Sequence, residues 1–334
     1  MQAHELGRSS TRHTRIMGIG AYRPQRIVSN EEVCRRVDSS DEWIRRRTGI
    51  RTRRFADSSE TLPVMAASAA TKALAQAGLT NADVDCVVAA TMSYLYQAPP
   101  LAPQIVGLLG STPAAAFDVS AACSGFCLAL SLANDIVSMG TARHVVVVGV
   151  ERMSDIIDPA DRSTAFIFGD GAGAVVVGEA DRPGIGRTVW GSDPAGQHAI
   201  EQEFSWRGLR VSDGAQWPYL RMSGPEVYRW VIRTIPEVAR RTLAASGLKI
   251  DDLAAVIPHQ ANLRICDAIA TSLGLPDHVR IARDIVDMGN TSAASIPLAM
   301  ERMLASGEVA SGGLALLIGF GSGLGYAAQV IELP

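Results

Sequence analysis

The sequence has 334 residues, of which 47% are hydrophobic and 31 are glycine, and its formal net charge is −3. This length allows two domains or one large duplicated unit, and the composition is typical of a well-packed α/β protein with many tight turns. The slightly acidic balance and the lack of a long apolar run argue against partners such as nucleic acid or a membrane.

Residues 1–14 are polar and basic and lack the apolar core of a signal peptide, so we predict a disordered leader on a cytoplasmic protein. A first strand is predicted over residues 15–21. Asn30 is predicted to cap the helix that follows, because Glu31 and Glu32 stand where acidic side chains suit the helix dipole.

Six arginines lie between residues 45 and 54, and Trp43 stands just before them. One interpretation is a solvated basic loop, which is the usual nature of a charge run. The other is a docking site for a polyanion that carries a flat ring, with arginines binding phosphates and the indole stacking on the ring. So local a cluster, in a chain that is acidic overall, favours the docking site.

The stretch around Cys123 carries the strongest chemical signal. An extended apolar approach over residues 114–119 leads into small residues, and apolar residues then recur at helical spacing over residues 128–139. This pattern predicts a strand-to-helix turn at Cys123, where unpaired N–H groups and the helix dipole favour the thiolate. A buried free cysteine acting as a small hydrophobe is the alternative. The five cysteines include no Cys-x-x-Cys pair, so neither a disulfide framework nor a metal site of zinc type is indicated.

The sequence repeats itself at an offset of about 170 residues. Residues 77–88 resemble residues 246–257, at an offset of 247 − 78 = 169. Residues 141–149 correspond to residues 311–319, at an offset of 319 − 149 = 170. Because two separate segments keep one register, we predict that the chain contains two copies of one α/β unit.

The two predicted copies are residues 15–180 and residues 181–334. Each contributes a sheet with a continuous apolar strand, residues 145–148 in the first copy and 314–318 in the second. Strands of this kind are buried on both faces.

Two polar residues of the second copy are candidates for the same site as Cys123. His259 follows a predicted strand at a Pro-flanked turn, where site residues collect in α/β sheets. The repeat offset of 292 − 123 = 169 makes Ser292 the counterpart of Cys123 in the second copy. Asn290 lies close to this counterpart in the sequence. If the copies face each other, Cys123, His259 and Asn290 converge on one cavity. A structural histidine and an asparagine that only caps a helix are the alternatives.

Three motifs stand in this order: Ser-Ala-Ala-Cys123-Ser-Gly-Phe, Pro-His259-Gln-Ala-Asn and Gly-Asn290-Thr-Ser-Ala-Ala-Ser. They resemble the β-ketoacyl-(acyl-carrier-protein) synthase III family of the thiolase superfamily, including its polyketide-priming members. The likeness runs from residue 15 or so to the end of the chain. It implies a five-layered αβαβα thiolase-like fold with two pseudo-duplicated halves. It also implies a homodimer and a decarboxylative Claisen condensation of an acyl-CoA starter with malonyl-acyl carrier protein, which begins fatty-acid or aromatic polyketide chains.

The resemblance implies chemical roles for four residues. Cys123 would accept the acyl group from acyl-CoA, and His259 and Asn290 would stabilise the enolate that decarboxylation leaves. The backbone N–H groups of Cys123 and Ser322 would form the oxyanion hole. No permanently bound cofactor and no metal is implied, since acyl-CoA and malonyl-acyl carrier protein are substrates.

The resemblance also implies the residues that bind coenzyme A and the carrier protein. Trp43 and Arg162 would sandwich the adenine ring. Arg47 and Arg264 would line the mouth of the tunnel, and Arg264 would attract the acidic carrier and its phosphopantetheine.

Two departures from the family pattern concern the substrate. Ala98 stands where acetyl-preferring members carry a phenylalanine that the partner subunit inserts into the acyl pocket, so we hypothesise a starter larger than acetyl. Gly224-Pro225 replaces a common glycine-asparagine step, which puts one contact with coenzyme A in doubt. The glycine run at 319–325 lacks GxGxxG spacing and leads into a predicted strand, so it does not indicate a dinucleotide site.

Four other functions remain open at this level. A relative that moves an acyl group to an alcohol, amine or carrier without condensation would not need Asn290. A hydrolase would need a group that activates water beside Cys123, and the sequence indicates none. A non-catalytic binding partner would be expected to lack one of the three residues. A plant-type polyketide synthase would share all three but fits the surrounding motifs less well.

Overall fold

The computed structural model describes residues 12–211 and 217–334. Most of the predicted leader therefore lies outside the described residues. The first strand runs from His13 to Tyr22, so the predicted range of 15–21 is short at both ends, and residues 13–14 belong to the strand rather than to a leader. The strand is longer because it pairs with a neighbouring strand as far as Ala180, the partner of His13.

The first half of the chain is built on a five-stranded mixed sheet. Its strands are β1 (His13–Tyr22), β2 (Arg26–Ser29), β3 (Thr52–Phe55), β4 (Cys86–Ala90), β5 (Ala115–Val119), β6 (His144–Arg152) and β7 (Asp170–Ala180), and its helices are α1 (Asn30–Val33), α2 (Asp41–Thr48), α3 (Leu62–Ala77), α4 (Leu101–Leu109) and α5 (Gly125–Ser138). The sheet has the order β1-β7-β6-β4-β5, whereas β2 and β3 form a separate hairpin. Strand β4 is parallel to β5 and β6, and β7 is antiparallel to β6 and β1.

The second half repeats this plan. Its strands are β8 (Val189–Ser192), β9 (Ile200–Gln202), β10 (Leu220–Met222), β11 (Ala255–Pro258), β12 (Arg280–Ile281), β13 (Leu314–Gly321) and β14 (Gly325–Glu332), and its helices are α6 (Gly208–Val211), α7 (Gly224–Ala245), α8 (Leu263–Leu273), α9 (Ile285–Met288) and α10 (Ser295–Ala305). The sheet order is β12-β11-β13-β14-β8, which matches the first sheet strand for strand. Strands β9 and β10 form a small hairpin of their own.

The two sheets are stacked with helices between them and on both outer faces. Helices α5 and α10 lie in the middle, where Phe126 and Met300 pack into one core with strand residues of both halves. Helices α3 and α4 cover the outer face of the first sheet, and α7 and α8 cover the outer face of the second. The predicted five-layered αβαβα arrangement is confirmed. In the described ranges, no helix is both long enough and apolar enough to cross a membrane.

The predicted buried strands are the central strands of the two sheets. Residues 145–148 lie in β6 and are fully buried. Residues 314–318 lie in β13 and are buried except for Leu314, which is partly exposed at the start of the strand. A strand with both faces covered by helices needs apolar residues on both faces, which is why the sequence shows a continuous apolar run.

The duplication extends to the backbone conformation of the turns that face each other. Short 3-10 turns, Ala122–Ser124 and Ser292–Ala294, lead into α5 and α10. Ala122 and Ser292 both have a φ of 45°, although neither is glycine. This conformation is uncommon for residues with a side chain and costs on the order of 1 kcal/mol. Its presence at both positions, 292 − 122 = 170 residues apart, supports the predicted pair of copies.

The segment from β2 to β3, which we call the cap segment, contains α1 and α2, and the β2–β3 hairpin joins its two ends. Ser29 rather than Asn30 caps α1, because the Ser29 hydroxyl accepts the N–H of Glu32. Asn30 is buried instead, and its amide donates to Asp41 Oδ1 and to the Ile50 carbonyl, both at 2.8 Å. The predicted N-cap residue is therefore one position too far along the sequence. Asn30 instead connects α1 to α2 through its hydrogen bond to Asp41.

Candidate active site

One cavity of about 610 Å³ lies between the two halves, and α2 of the cap segment forms part of its lining. It brings together most of the residues that the sequence nominates for catalysis and binding: Trp43, Arg47, Cys123, Arg162, His259, Arg264, Asn290 and Ser322. Residues from both copies line it, so the predicted convergence of the two halves is observed.

Cys123 lies in the 3-10 turn between β5 and α5, as the sequence predicts, and its side chain is only 7% exposed. Burial raises the pKa of its thiol to about 12, and the Glu151 carboxylate adds to the rise, whereas the Ser292 hydroxyl opposes it. The expectation that this turn favours the thiolate is therefore wrong, because desolvation outweighs the helix end.

His259 stands at the end of β11 with its ring buried and packed edge-on against Phe320, with ring centroids 5.3 Å apart. Burial lowers its pKa from 6.5 to about 3, so the imidazole is neutral. Its Nδ1 lies 2.7 Å from the Ser295 hydroxyl, which also accepts the N–H of Gln260 at 3.3 Å. We assign the Ser295 hydroxyl as the donor of a hydrogen bond to Nδ1. The ring proton of the neutral imidazole is then on Nε2.

Asn290 is held by its backbone and by one side-chain bond. Its N–H donates to the Ile167 carbonyl at 2.8 Å, and its own carbonyl accepts the N–H of Gly169 at 3.0 Å. Its side-chain Oδ1 accepts the N–H of Ser292 at 2.8 Å. With the oxygen occupied, the amide NH₂ group is the free end of a side chain that lines the cavity. The N-cap position of the following turn is Thr291, whose side chain makes no capping bond, and the Asn290 oxygen accepts the first N–H of the turn instead.

The chain closes around Cys123 at the end of β13. A Cβ atom on Gly321 would lie 2.7 Å from Cys123 Cβ and 3.0 Å from its Sγ, so only glycine permits this approach. Ser322 follows in the turn to β14 and lines the cavity, and its hydroxyl donates to the Ile200 carbonyl at 2.7 Å. Its backbone is thus fixed close to the cysteine. The glycine run at 319–325 forms the β13–β14 hairpin and not a nucleotide loop.

The mouth of the cavity carries the predicted aromatic and basic residues. The guanidinium carbons of Arg162 and Arg47 lie 5.4 and 5.7 Å from the Trp43 ring centroid. Phe166 supports the same ring edge-on at 5.4 Å. Arg264 follows the capping Asn262 at the start of α8 and lies over the Tyr228 ring at 5.7 Å. Of the six arginines in the stretch, Arg47 lines the cavity, whereas Arg53 is fully buried and is not part of any exposed basic surface.

The two positions that depart from the family pattern lie in different places. Gly224 and Pro225 line the cavity at the start of α7. Ala98 is exposed in the segment between β4 and α4 and does not line the cavity of its own chain.

Sequence reasoning missed three buried polar residues at the site: Glu151, Ser292 and Ser295. Each is at most 1% exposed. Glu151 could have been found, because it is a charged residue at the end of an apolar strand. The two serines lie inside the Asn290 motif and carry no signal of their own, since their roles depend on which group each hydroxyl faces.

Family models match both halves of the chain. Residues 117–194 match 3-oxoacyl-[acyl-carrier-protein] synthase III, and residues 243–333 match the C-terminal part of the same family. The β-ketoacyl-[acyl-carrier-protein] synthase III 1 of Streptomyces coelicolor is 49% identical over 332 residues, covering 96% of this chain and 97% of that protein. The mycobacterial β-ketoacyl-[acyl-carrier-protein] synthase III of Mycobacterium avium is also 49% identical, covering 96% of this chain and 95% of that protein.

Solved structures agree with these matches. The priming β-ketosynthase from the R1128 polyketide biosynthetic pathway superposes with a TM-score of 0.97 and 49% identity, covering 99% of each chain. The 3-oxoacyl-[acyl-carrier-protein] synthase III of Aquifex aeolicus superposes with a TM-score of 0.88 and 37% identity, covering 96% of this chain and 99% of that one.

Proposed function

The chain belongs to the 3-oxoacyl-[acyl-carrier-protein] synthase III family, and we propose that it condenses an acyl-CoA starter with malonyl-acyl carrier protein through an acyl group on Cys123. The observation that carries this proposal is the meeting of Cys123, His259 and Asn290 in one cavity with an aromatic and basic mouth. The reaction begins a fatty-acid or an aromatic polyketide chain.

In the first half-reaction, the Cys123 sulfur attacks the thioester carbon of acyl-CoA. A new C–S bond forms, the bond to the coenzyme A sulfur breaks, and the proton of the cysteine thiol leaves as that of free coenzyme A. The carbonyl oxygen is negative in between. The backbone N–H groups of Cys123 and Ser322 are suited to stabilise it, because Gly321 brings that segment against the cysteine.

In the second half-reaction, the malonyl group loses carbon dioxide and leaves an enolate whose charge lies on the thioester oxygen. The Nε2–H of His259 and the NH₂ group of Asn290 are neutral donors that can bind this oxygen without protonating the carbon. The enolate carbon then bonds to the acyl carbonyl carbon, the Cys123 C–S bond breaks, and the departing Cys123 thiolate takes up a proton from solvent, which replaces the one that left with coenzyme A. These steps need no resident cofactor or metal.

The mouth is suited to bind coenzyme A and then the carrier. Trp43 and Arg162 are now in direct contact, with 5.4 Å between the guanidinium carbon and the ring centroid. An adenine between them therefore requires Arg162 to swing outward. Arg47 and Arg264 supply positive charge for phosphates and for an acidic carrier protein, which we take as the macromolecular partner.

A starter larger than acetyl is supported by a second cavity of about 360 Å³ beside the first. It shares Met92, Ala122, Leu220 and Ser322 with the main cavity, and Ala122 directly precedes Cys123, so we propose that an acyl chain on Cys123 extends towards it. The likeness to both a polyketide-priming ketosynthase and Streptomyces synthases leaves either pathway as the user of the product.

We further propose a homodimer that pairs through the edge strand β5. This strand ends the first sheet, and Ala115 and Phe117 on it are exposed. An exposed apolar edge strand is a site for pairing with another chain. The segment with Ala98 is adjacent in sequence to exposed Leu95 and Tyr96 and would reach the partner's site. We expect light scattering to give twice the mass of one chain, whereas a monomer would refute the dimer. We also propose a cytoplasmic location, because the proposed substrates are acyl-CoA and a carrier protein.

Acyl transfer without condensation is the alternative, and Asn290 argues against it because simple transfer forms no enolate. A hydrolase is also disfavoured. Glu151 is a carboxylate close to Cys123, but both of its oxygens accept hydrogen bonds from protein donors, so neither is directed at a water.

The test is the intact-protein mass after mixing with acetyl-, butyryl-, isobutyryl- and hexanoyl-CoA, with Cys123→Ala as the control. We expect one acyl group per chain in the parent and none in the variant, with the larger starters loaded best. Malonyl-carrier is then added, and carbon dioxide release with loss of the adduct distinguishes condensation from transfer. Preferred loading of acetyl would refute the larger starter. An adduct that survives malonyl-carrier would refute condensation.

A further inference from the structure

A carboxylate with no ion pair lies buried behind the catalytic cysteine. Glu151 is the residue before the last in β6 and is fully buried, and within residues 12–211 and 217–334 it forms no salt bridge. It accepts only hydrogen bonds from neutral donors. A buried charge without a counter-ion is retained where it is fully hydrogen-bonded, so its donors indicate its task.

The donors come from two loops that belong to different halves. Glu151 Oε2 accepts the backbone N–H groups of Met92 and Ser93 at 3.1 and 3.0 Å. The same oxygen accepts the hydroxyls of Ser93 and Thr91 at 2.5 and 3.2 Å. Oε1 accepts the N–H of Ala293 at 3.4 Å and shares the N–H of Met92 at 3.2 Å. One carboxylate therefore joins the loop after β4 to the turn that follows Asn290.

The turn at Ala293 is the one that orients the Asn290 amide. Ser292, the residue before Ala293, donates its N–H to Asn290 Oδ1. Strand β6 also contacts this turn through its backbone, because a Cβ atom on Gly149 would collide with the Ala293 carbonyl. The position of Glu151 thus fixes the segment that directs the Asn290 NH₂ group into the cavity.

We propose that Glu151 is a positioning residue for the condensation step, holding the Ser292–Ala294 turn so that Asn290 faces the enolate. The inference rests on the proposed role of Asn290. All the groups around the carboxylate are donors, so two acceptor oxygens are needed to satisfy them. A glutamine keeps one oxygen. That oxygen would accept the hydrogen bonds from residues 91–93, which supply most of the donors. The NH₂ group of the glutamine would then face the N–H of Ala293, and because two donors cannot bond to each other, the hydrogen bond to the second half would be lost.

The charge of Glu151 gives an independent readout at Cys123. The titratable groups near the thiol are Glu151 from β6, His259 from the end of β11 and the buried thiol of Cys127 from α5. His259 is neutral, with its pKa lowered to about 3, and Cys127 is neutral, with its pKa raised to about 12. Burial raises the pKa of the Glu151 carboxyl, but at the alkaline pH where the Cys123 thiol titrates this carboxyl is ionised, so Glu151 is the charged group that raises the pKa of Cys123.

The experiment compares Glu151→Gln with the parent and with Asp170→Asn. Asp170 is likewise fully buried and accepts the N–H groups of Ala56 and Ser154, so its variant is a matched loss of a buried carboxylate elsewhere. For each protein, three quantities are measured: the rate of acyl loading on Cys123, the rate of malonyl-carrier condensation, and the pH profile of Cys123 alkylation by iodoacetamide.

For Glu151→Gln we expect condensation to fall about tenfold or more while acyl loading stays within about twofold, because only the enolate step uses Asn290. The alkylation midpoint should move to lower pH by roughly half a unit or more, because a like charge is gone. Asp170→Asn should move neither the ratio of the two rates nor the midpoint. An equal fall of loading and condensation in Glu151→Gln would overturn the proposal, since general loss of structure produces that result.

Glu151→Asp keeps the charge and both acceptors but is one methylene shorter, so it cannot reach both loops. It should show the same loss of condensation with an unmoved alkylation midpoint. If Glu151→Gln does not fold, Glu151→Asp provides the test. If neither variant folds, Glu151 is needed for the fold alone and the proposal is overturned. If the parent itself gives no acyl adduct, the proposed function fails instead, which the parent measurement reveals separately.

Discussion

We expect Ser295 to control which nitrogen of His259 carries the ring proton, and Ser295→Ala tests this prediction. The hydroxyl lies 2.7 Å from Nδ1 and is the buried partner of that nitrogen. Without it, Nδ1 has no donor, and the proton can move there from Nε2. The Nε2 atom would then face the enolate oxygen with a lone pair instead of a proton.

The size of the effect follows from the burial of the site. Leaving a buried polar atom unsatisfied costs about 1–3 kcal/mol. If that difference is what favours the Nε2–H form, its loss lowers the rate of enolate formation by roughly 5- to 150-fold. Acyl loading of Cys123 should change little, because the oxyanion donors that we propose for that step are backbone groups.

The assay measures carbon dioxide release from malonyl-carrier and acyl loading from acyl-CoA separately, for the parent, Ser295→Ala and Ser295→Thr. The threonine keeps the hydroxyl and should retain most of the decarboxylation. ¹⁵N spectra of labelled histidine report the tautomer directly. A parent enzyme with the proton on Nδ1, or an alanine variant with undiminished decarboxylation, would show that the reasoning about Ser295 is wrong.

Three further predictions follow from contacts at the site. Gly321→Ala should slow acyl loading by about 100-fold or more, because the added Cβ would lie 2.7 Å from Cys123 Cβ, whereas Gly107→Ala in open space should load normally. Trp43→Ala should raise KM for acyl-CoA by roughly fivefold with little change in kcat, and acyl-pantetheine thioesters, which lack the nucleotide, should show no such change. His259 has a pKa of about 3 when folded and 6.5 when unfolded, so the unfolded chain takes up this proton first and the free energy of unfolding should fall as the pH drops below 6.5. His259→Gln should lack this part of the slope, at most about 1.4 kcal/mol per pH unit, in denaturant titrations at pH 7 and pH 5.

The sequence predicts the duplicated halves and the meeting of Cys123, His259 and Asn290 because these depend on order and spacing, which a repeat makes visible. The buried strands are predicted for a similar reason, since covering both faces forces a continuous apolar run. The family motifs add the mouth residues Trp43 and Arg162, which the cavity brings into contact.

The errors arise where three-dimensional surroundings decide. The helix end at Cys123 predicts a thiolate, but full desolvation raises the thiol pKa to about 12. Both Ser29 and Asn30 are residue types that favour the N-cap position. Which of them caps α1 depends on which side chain is buried in the core. The role of Glu151 depends on five donors from two distant segments, and no local pattern reports their convergence. The part played by Ala98 stays a prediction, because it concerns a second copy of the chain.

The middle layer of helices has a consequence for how the enzyme moves. Because α5 and α10 pack into one core with both sheets, the halves share their apolar interior rather than meeting at a polar boundary. Such an interface cannot open and close as a hinge without exposing that core. The duplicated units should therefore unfold together in a single transition, and neither should persist when expressed alone. Substrate entry then depends on side chains at the mouth, above all on the displacement of Arg162 from Trp43, and not on the parting of two domains.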